Sequence, residues 1–165
     1  MVLTLPITEI SHSQVKNFNC GIDELNEYLK RYARSNHKKG IGKTFVLPME
    51  KNVKGYYTIS MGDIEFHHIP EKWRSSLPKY PIPVCRIGRL AIDSTMQGKG
   101  SGGQLLIDAL HRIAEAAKTV AAYAVVVDAK NNQAKTFYEH YGFTSYQDES
   151  SSLFLPLSTF QLILS

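Results

Sequence analysis

The sequence predicts a mixed α/β fold (α+β in character), with helices packed around a central sheet. From residue 84 onward, strand, loop, helix, strand, helix and strand patterns follow one another. The strand YAVVVDA is almost wholly apolar, which is typical of a strand covered on both faces. The helices before and after it carry apolar side chains at helical spacing. This alternation indicates a mixed sheet flanked by helices.

One helix and one hairpin are predicted in the N-terminal part. Apolar residues recur at helical spacing from Leu25 to Tyr32, and the helix is expected to end before Gly40. The segments KTFVLP and VKGYYTISM are predicted strands joined by the turn-like MEKN. Residues 63–83 contain four prolines and are expected to form a long connection over the surface.

The C-terminal part begins with the predicted strand VCRIGRLAID, followed by the glycine-rich QGKGSGG. A helix of about four turns comes next, with one apolar face from Leu105 to Ala117. After YAVVVDA, the stretch NNQAKTFYEHYGF predicts a short helix that Gly142 ends. The segments SSLFLPL and FQLIL are both predicted strands.

Length and composition indicate a single domain, residues 1–165. The chain is 43% hydrophobic and 21% charged, which excludes disordered and fibrous classes. No apolar run reaches the about 18 residues of a membrane span, and the N-terminus lacks a secretion signal. Cys20 and Cys85 show no metal-ligand spacing, so no metal is predicted; reduced thiols in a cytoplasmic protein are expected, with one disulfide left open.

Positive charge is concentrated between Lys30 and Lys43, where six cations occur without an acid. A single charge run is most often a solvated face. Six cations without a counter-charge favour a polyanionic partner. A looser group of cations, from Lys72 to Arg89, has Glu71 beside it.

The stretch QGKGSGG places four glycines in seven residues, directly before a helix. Three structures could explain it: a tight turn that binds no ligand, a mononucleotide or dinucleotide site, or a pyrophosphate site. The Walker A and GxGxxG spacings are absent. Alternating glycines at 98, 100 and 102 let successive amides converge on an anion at a helix N-terminus, so the pyrophosphate site is favoured.

Gln97-x-x-Gly100-x-Gly102 resembles the Q/R-x-x-G-x-G/A signature of the GNAT superfamily of N-acetyltransferases. RIGRLAID before it, AVVVDA after it and AKTFYEHYGF, similar to the family's A-x-x-F-Y-x-x-x-G-F segment, extend the resemblance over residues 86–143. It implies a GNAT fold: a mostly antiparallel twisted sheet flanked by helices, with a splayed parallel strand pair at the acetyl-CoA site.

FNCGIDELNEYLKRYA, VKGYYTIS, RIGRLAID and DAKNNQAKTFYEHYGF together resemble the acetyltransferase toxins of type II toxin–antitoxin modules. This resemblance implies acetylation of the α-amine of aminoacyl-tRNA, arrest of translation, neutralisation by a ribbon-helix-helix antitoxin, and a homodimer, aided by the apolar tail FQLILS. An acetyltransferase acting on a small-molecule or protein amine is the alternative within the superfamily. A non-catalytic CoA-binding module is a third possibility, which Tyr138 at the acid position disfavours.

The resemblance also implies site residues. The FY tyrosine, Tyr138, is expected to be the general acid, because a phenol with a pKa near 10 stays protonated at neutral pH. By spacing alone Tyr138 would be a core residue; its motif position favours the acid role and leaves Phe137 as the better core candidate. The residues expected to bind acetyl-CoA are Leu90, Ala91, Ile92, Gln97, Gly98, Lys99, Gly100, Ser101, Gly102, Gly103, Asn131, Asn132, Phe137 and Tyr138.

No general base is assigned, because an α-amine with a pKa of roughly 8 is already about a tenth neutral at pH 7. Asp63, Glu65, His67 and His68 lie in the connection, where they are available as a base or to bind water; the two histidines are read as ordinary loop residues. Arg89 is expected either to face the substrate or to pair with Asp93 or another acid. The residues expected to contact tRNA phosphates are Lys30, Arg31, Arg34, Lys38 and Lys39, then more weakly Arg74, Arg86 and Arg89.

Overall fold

The computed structural model describes residues 2–164, with side chains up to Phe160. The chain divides into two compact units, residues 2–60 with 87–111 (the first unit) and residues 61–86 with 112–164 (the second unit). The strands are β1 (Leu5–Pro6), β2 (Lys43–Met49), β3 (Asn52–Ile64), β4 (Ile82–Ile92), β5 (Ala124–Asp128), β6 (Thr144–Ser145) and β7 (Ser152–Pro156). The helices are α1 (Asp23–Glu27), α2 (Ala33–Lys39), α3 (Glu71–Arg74), α4 (Ser101–Ala116), α5 (Asn132–His140) and α6 (Leu157–Leu164).

In the first unit, β2 pairs antiparallel with both β1 and β3. Glu50 has a φ of 57° in the short β2–β3 turn, so the predicted hairpin is confirmed. The predicted helix is also confirmed over α1 and α2, but Tyr28–Tyr32 between them is π-helical, which the spacing did not predict. Helix α2 ends at Gly40, whose φ of 74° is left-handed and favours glycine.

The core of the first unit lies between the helical segment and the sheet. Phe18 packs edge-on against Tyr56 at 5.6 Å between ring centroids, and Tyr28 stacks on Tyr56 at 6.5 Å. The Tyr56 hydroxyl donates to the Leu25 carbonyl at 2.8 Å. Through these ring contacts and this hydrogen bond, Tyr56 holds α1 against β3.

In the second unit, β5 pairs parallel with β4 over Val84–Arg86 and antiparallel with β7, which also pairs with β6. Four of the five β5 residues are buried, as the apolar pattern predicted. The connection at 63–83 is not wholly a surface segment. Ile69, within this connection, is completely buried and packs in a cluster with Ile82 and Phe154. This apolar contact anchors the connection to the second unit.

Along the sheet the strand order is β1-β2-β3-β4-β5-β7-β6, with β4 and β5 as its parallel pair. The predicted mixed α/β class with a mostly antiparallel sheet is therefore confirmed. The parallel pairing covers three residues of β4 only, although β4 continues to Ile92.

The prediction of a strand at FQLIL is wrong, because Leu157–Leu164 is helical. A short apolar run has no periodicity that separates a strand from a buried helix. The apolar tail FQLILS was predicted to aid dimerisation. The side chains of residues 161–164 and the whole of Ser165 lie outside the described residues. Cys20 and Cys85 are both buried thiols. Among the described residues no helix is long and apolar enough to cross a membrane.

Candidate active site

The glycine loop, residues 97–103, leads from β4 into α4. Gly98 and Gly100 have φ values of 78° and 81°, a backbone conformation that side chains with a Cβ rarely adopt. A Cβ built on either glycine would meet no atom within 4 Å. Glycine is therefore required here by the backbone, and the space above it stays open for a ligand.

Helix α4 begins inside this loop. The N–H groups of Ser101, Gly102 and Gly103 stand in its first turn, where no carbonyl of the same helix can accept them. The Gln104 N–H donates to the Gly100 carbonyl at 3.2 Å and begins the helical ladder. Unpaired amides and the positive end of the helix dipole favour an anion at this point.

The Gln97 side chain fastens the glycine loop to its own unit. Its Nε2 donates to the Ile92 carbonyl at 2.9 Å and to the Cys20 carbonyl at 3.0 Å. This side-chain nitrogen is thus engaged with protein carbonyls, so Gln97 positions the loop. At the strand end that it holds, Ala91 and Ile92 are buried and Leu90 is half-buried.

Asp93 holds the start of the loop, a role that the sequence pattern did not indicate. Its carboxylate accepts the Thr95 N–H at 3.0 Å and the Asn19 N–H at 3.1 Å, and Lys54 lies 3.8 Å away. Burial works to raise the pKa of Asp93, but the hydrogen bonds from Thr95 and Asn19, with Lys54, hold the pKa below its ordinary value. The carboxylate is therefore ionised and braces the turn at neutral pH.

Of the alternatives left open for Arg89, the pairing with Asp93 is not observed. Lys54 is the cation beside Asp93. The Arg89 guanidinium instead lies 3.5 Å from the centroid of the Tyr28 ring, a cation–π contact. Stacking on Tyr28 holds Arg89 against the helical segment.

In the second unit, Tyr138 lies on α5 with 9% of its surface exposed. Its ring packs edge-on against Phe137 and Phe143, at 5.2 and 5.4 Å between centroids. Phe137 is only half-buried, so the expectation that Phe137 is the better core residue is wrong. The face of α5 that carries Tyr138 is the one turned toward Phe143, and it takes the larger share of burial.

The Tyr138 hydroxyl has no hydrogen-bond partner among the side chains up to Phe160 and the backbone that the structure describes. Three other buried tyrosines do have one: Tyr56 donates to a backbone carbonyl at 2.8 Å, Tyr57 donates to Asp108 at 2.7 Å, and Tyr28 accepts from Asn36 at 3.3 Å. Burial raises the pKa of Tyr138 to about 12, so the phenol is protonated at neutral pH.

Asn131 and Asn132 open α5. The Asn131 Oδ1 accepts the Ala134 N–H at 2.8 Å and caps the helix, so this oxygen is engaged. Asn132 is exposed. Of the two asparagines expected at the cofactor, Asn132 has the side chain without a capping role.

Five of the predicted tRNA-binding cations lie together in the first unit, around a concavity of about 430 Å³ that we call the basic concavity. Its lining residues are His12, Lys30, Arg31, Arg34, Ser35, Lys38 and Lys39. Arg31 is paired with Glu27 at 3.3 Å. The Arg34 Nη2 atom is buried and has no hydrogen-bond partner in the described part of the chain.

The other three predicted cations are engaged with their own chain. Arg74 donates to the carbonyls of Ile69 and His67, the latter at 2.8 Å. Arg86 pairs with Asp128 at 2.9 Å, and Arg89 stacks on Tyr28. The structure therefore separates the run at 30–39, whose cations are grouped, from single arginines that hold local structure.

A sequence model of the family described as "Acetyltransferase (GNAT) domain" matches residues 9–163. A protein from Mycobacterium tuberculosis named tRNA-acetylating toxin is 35% identical over 129 residues, which is 78% of this chain and 77% of that protein. A probable toxin TacT from Sinorhizobium fredii is 27% identical over 157 residues, 89% of this chain and 87% of its own.

Solved structures agree with the family match. A tyrosine-to-phenylalanine mutant of KacT superposes with a TM-score of 0.91 at 30% identity, over 98% of each chain. AtaT complexed with acetyl-methionyl-tRNAfMet gives 0.91 at 28% identity, over 99% of each. A tyrosine-to-phenylalanine mutant of the AtaT toxin, bound to the C-terminus of the antitoxin AtaR and acetyl-CoA, gives 0.81 at 27% identity, over 100% of this chain and 98% of that one.

The predicted enzyme class, an N-acetyltransferase, and the predicted cofactor, acetyl-CoA, are confirmed at the level of the family. The resemblance to toxins that act on tRNA is confirmed as well. The chain belongs to the acetyltransferase (GNAT) domain family.

Proposed function

We propose that residues 1–165 work as one catalytic domain, a toxin that moves an acetyl group from acetyl-CoA to the α-amine of aminoacyl-tRNA. The reaction takes place in the cytoplasm and blocks translation. The observation that carries this proposal is the combination of the family's acetyltransferase match with a concavity whose lining residues include five Lys and Arg side chains and no acid. The names of two relatives, a tRNA-acetylating toxin and AtaT with acetylated tRNA, support it.

The glycine loop is proposed to bind the diphosphate of acetyl-CoA. The amides of Gly98, Gly100 and the first turn of α4 supply donors without a Cβ in the way. Lys99, exposed in the same loop, adds a mobile cation. Backbone amides of Leu90, Ala91 and Ile92 are proposed to pair with the pantetheine arm, and one of them to polarise the thioester carbonyl.

In the proposed mechanism the amine attacks acetyl-CoA directly, within a ternary complex. The new N–C bond forms as the C–S bond of the thioester breaks. Tyr138 donates its phenolic proton to the departing CoA sulfur, and solvent later restores it. The proton lost from the amine goes to water, because an aminoacyl amine with a pKa of roughly 8 needs no strong base.

Two observations support Tyr138 in this role. Its hydroxyl has no partner of its own within the described residues, and burial raises its pKa to about 12, so the acid form persists. Relatives have been solved as tyrosine-to-phenylalanine mutants.

The basic concavity is proposed to hold phosphates of the tRNA. Lys30, Arg34 and Lys38 stand at four-residue spacing and all three line this concavity. Phosphate contacts of this kind position a nucleic acid without reading its sequence. A metabolite-acetylating enzyme has no use for such a surface.

The partner proposed to neutralise the toxin is a cognate antitoxin with a ribbon-helix-helix DNA-binding domain, and the chain is proposed to act as a homodimer. The AtaT structure with the C-terminus of the antitoxin AtaR supports the antitoxin.

Labelled acetyl-CoA incubated with charged tRNA tests the function. We expect the label on the amino acid, recovered as its N-acetyl derivative after the ester is hydrolysed. Uncharged tRNA, which lacks the α-amine, is the matched control and should stay unlabelled. Label found on small amines or proteins instead, with charged tRNA unlabelled, would support the alternative acceptor and overturn this proposal.

A further inference from the structure

Three metal-ligating side chains that the proposed reaction does not use lie together in the second unit. The His68 Nδ1 is 2.6 Å from the Asp148 Oδ1, and the His67 Nε2 is 3.8 Å from the Asp148 Oδ2. The ligand atoms of all three lie within 4.8 Å of one another. His68 and Asp148 are 80 residues apart in the chain, so no sequence spacing could indicate this cluster.

Contacts of the backbone and of neighbouring rings hold both segments in place. The Gln147 N–H donates to the His68 carbonyl at 2.8 Å, and the Tyr146 ring lies 5.3 Å from the His68 ring. Arg74 donates to the His67 carbonyl at 2.8 Å. The three side chains are thus presented by a prearranged scaffold.

We propose that His67, His68 and Asp148 bind one divalent transition-metal ion of the zinc class. Two imidazoles and a carboxylate form a donor set typical of Zn²⁺. Bonds of about 2.0–2.1 Å in tetrahedral geometry put ligand atoms about 3.3 Å apart. The observed 2.6 and 3.8 Å lie on either side of that value, and the third pair of ligand atoms lies within 4.8 Å, so side-chain rotations would bring all three to that spacing.

Exposure of the cluster agrees with this assignment. The His67 and Asp148 side chains are 66% and 47% exposed, so an ion can enter and water can complete its coordination. The bound ion would tie the connection at residues 65–77 to the segment at 146–149. Because it binds the folded chain, it would raise the thermal stability by linkage.

The test is calorimetric titration of ZnCl₂ into the full chain, without a histidine tag and after treatment with a chelator. We expect one Zn²⁺ per chain. His67→Gln and Asp148→Asn should each weaken binding by at least about tenfold, since each removes one of three protein ligands. His140→Gln, an exposed histidine on α5 outside the cluster, is the matched control and should bind Zn²⁺ like the parent.

Two further readouts separate a metal site from a simple His–Asp pair. Co²⁺ should give the visible absorption of a low-coordinate complex with the parent and not with His67→Gln. Zn²⁺ should raise the melting temperature of the parent and of His140→Gln, but not of Asp148→Asn. Absence of Zn²⁺ binding, or equal affinity in His67→Gln and His140→Gln, would overturn the proposal. If one cluster variant does not fold, the other decides.

Discussion

Two regions of the first unit suit anions, and they are built from different chemical groups. The glycine loop relies on main-chain N–H groups, positive-φ glycines and a helix start, with Lys99 as its single cation. The basic concavity relies on long cationic side chains from the helical segment. Main-chain amides in fixed positions suit a small anion of defined shape. Flexible cationic side chains can adjust to the phosphates of an extended polyanion. The contrast supports the proposal that the first region binds the diphosphate and the second binds tRNA.

The difference also implies different responses to salt. Binding through side-chain cations releases counterions from a nucleic acid, so affinity falls steeply as salt rises. Binding of a single diphosphate by uncharged amides releases few ions. A variant in either region should therefore lower the affinity for one ligand and leave the affinity for the other unchanged.

The largest expected effect belongs to neither region. Tyr138→Phe should lower the single-turnover rate of acetyl transfer by about 10²- to 10⁴-fold, the usual contribution of a general acid. Affinities for acetyl-CoA and tRNA should change little, because phenylalanine keeps the ring packed on Phe143 and the lost hydroxyl acts mainly in the transition state. Rapid-quench kinetics with labelled acetyl-CoA, together with both binding constants, checks this separation.

Tyr141→Phe is the control, since Tyr141 is half-buried on the same turn of chain and packs on Phe137. It should react like the parent. Because burial raises the pKa of Tyr138 to about 12, the rate ratio of parent to Tyr138→Phe should stay constant as pH rises from about 7 to 9. Equal rate losses in the two variants would contradict the assignment of Tyr138.

A smaller effect is expected in the basic concavity. Arg34→Gln should weaken tRNA binding several-fold and reduce the slope of log affinity against log salt by about 0.7–0.9, one phosphate contact. Acetyl-CoA binding should be unchanged. Fluorescence anisotropy of labelled tRNA at several salt concentrations measures both quantities.

Lys118→Gln serves as the control for Arg34→Gln. Lys118 is exposed, pairs with Glu115 at 3.0 Å and does not line the basic concavity. Its removal should leave the salt slope as it was. If Lys118→Gln and Arg34→Gln reduced the slope alike, tRNA binding would depend on net charge and not on the concavity.

The smallest effect is expected from Tyr56→Phe, which weakens the fold beneath both regions. Loss of the 2.8 Å hydrogen bond to the Leu25 carbonyl should lower the free energy of unfolding by about 1 kcal/mol. Both ligand affinities and the rate per folded molecule should be those of the parent. Urea unfolding measures the change; a loss of tRNA or acetyl-CoA affinity of more than threefold would mean that the two regions report overall stability.

Features that depend on local backbone chemistry could be predicted from the sequence. The helix ends at Gly40 and Gly142 have φ values of 74° and 96°, and the loop glycines Gly98 and Gly100 are also left-handed. Each needs only its own residue and its neighbours. The grouping of the cations at 30–39 could likewise be predicted, because they lie on one helical segment.

Features that depend on distant partners could not be predicted. Arg86 reads as a possible phosphate ligand until Asp128, far along the chain, is found 2.9 Å away. Spacing places Phe137 and Tyr138 equally near the core, and only the packed Phe143 decides between them. The contacts of Asp93 with Asn19 and Lys54, which brace the glycine loop, are of the same kind.

Calorimetric titration of CoA into Gly100→Leu, beside Gly40→Leu, tests the assignment of the diphosphate most directly. Both glycines have left-handed φ values, 81° and 74°, and both face open space, so the backbone strain is matched. Only Gly100 lies in the glycine loop. We predict that Gly40→Leu binds CoA like the parent and that folded Gly100→Leu loses at least about tenfold in affinity, or 1.4 kcal/mol. Parental CoA affinity in folded Gly100→Leu would contradict the account.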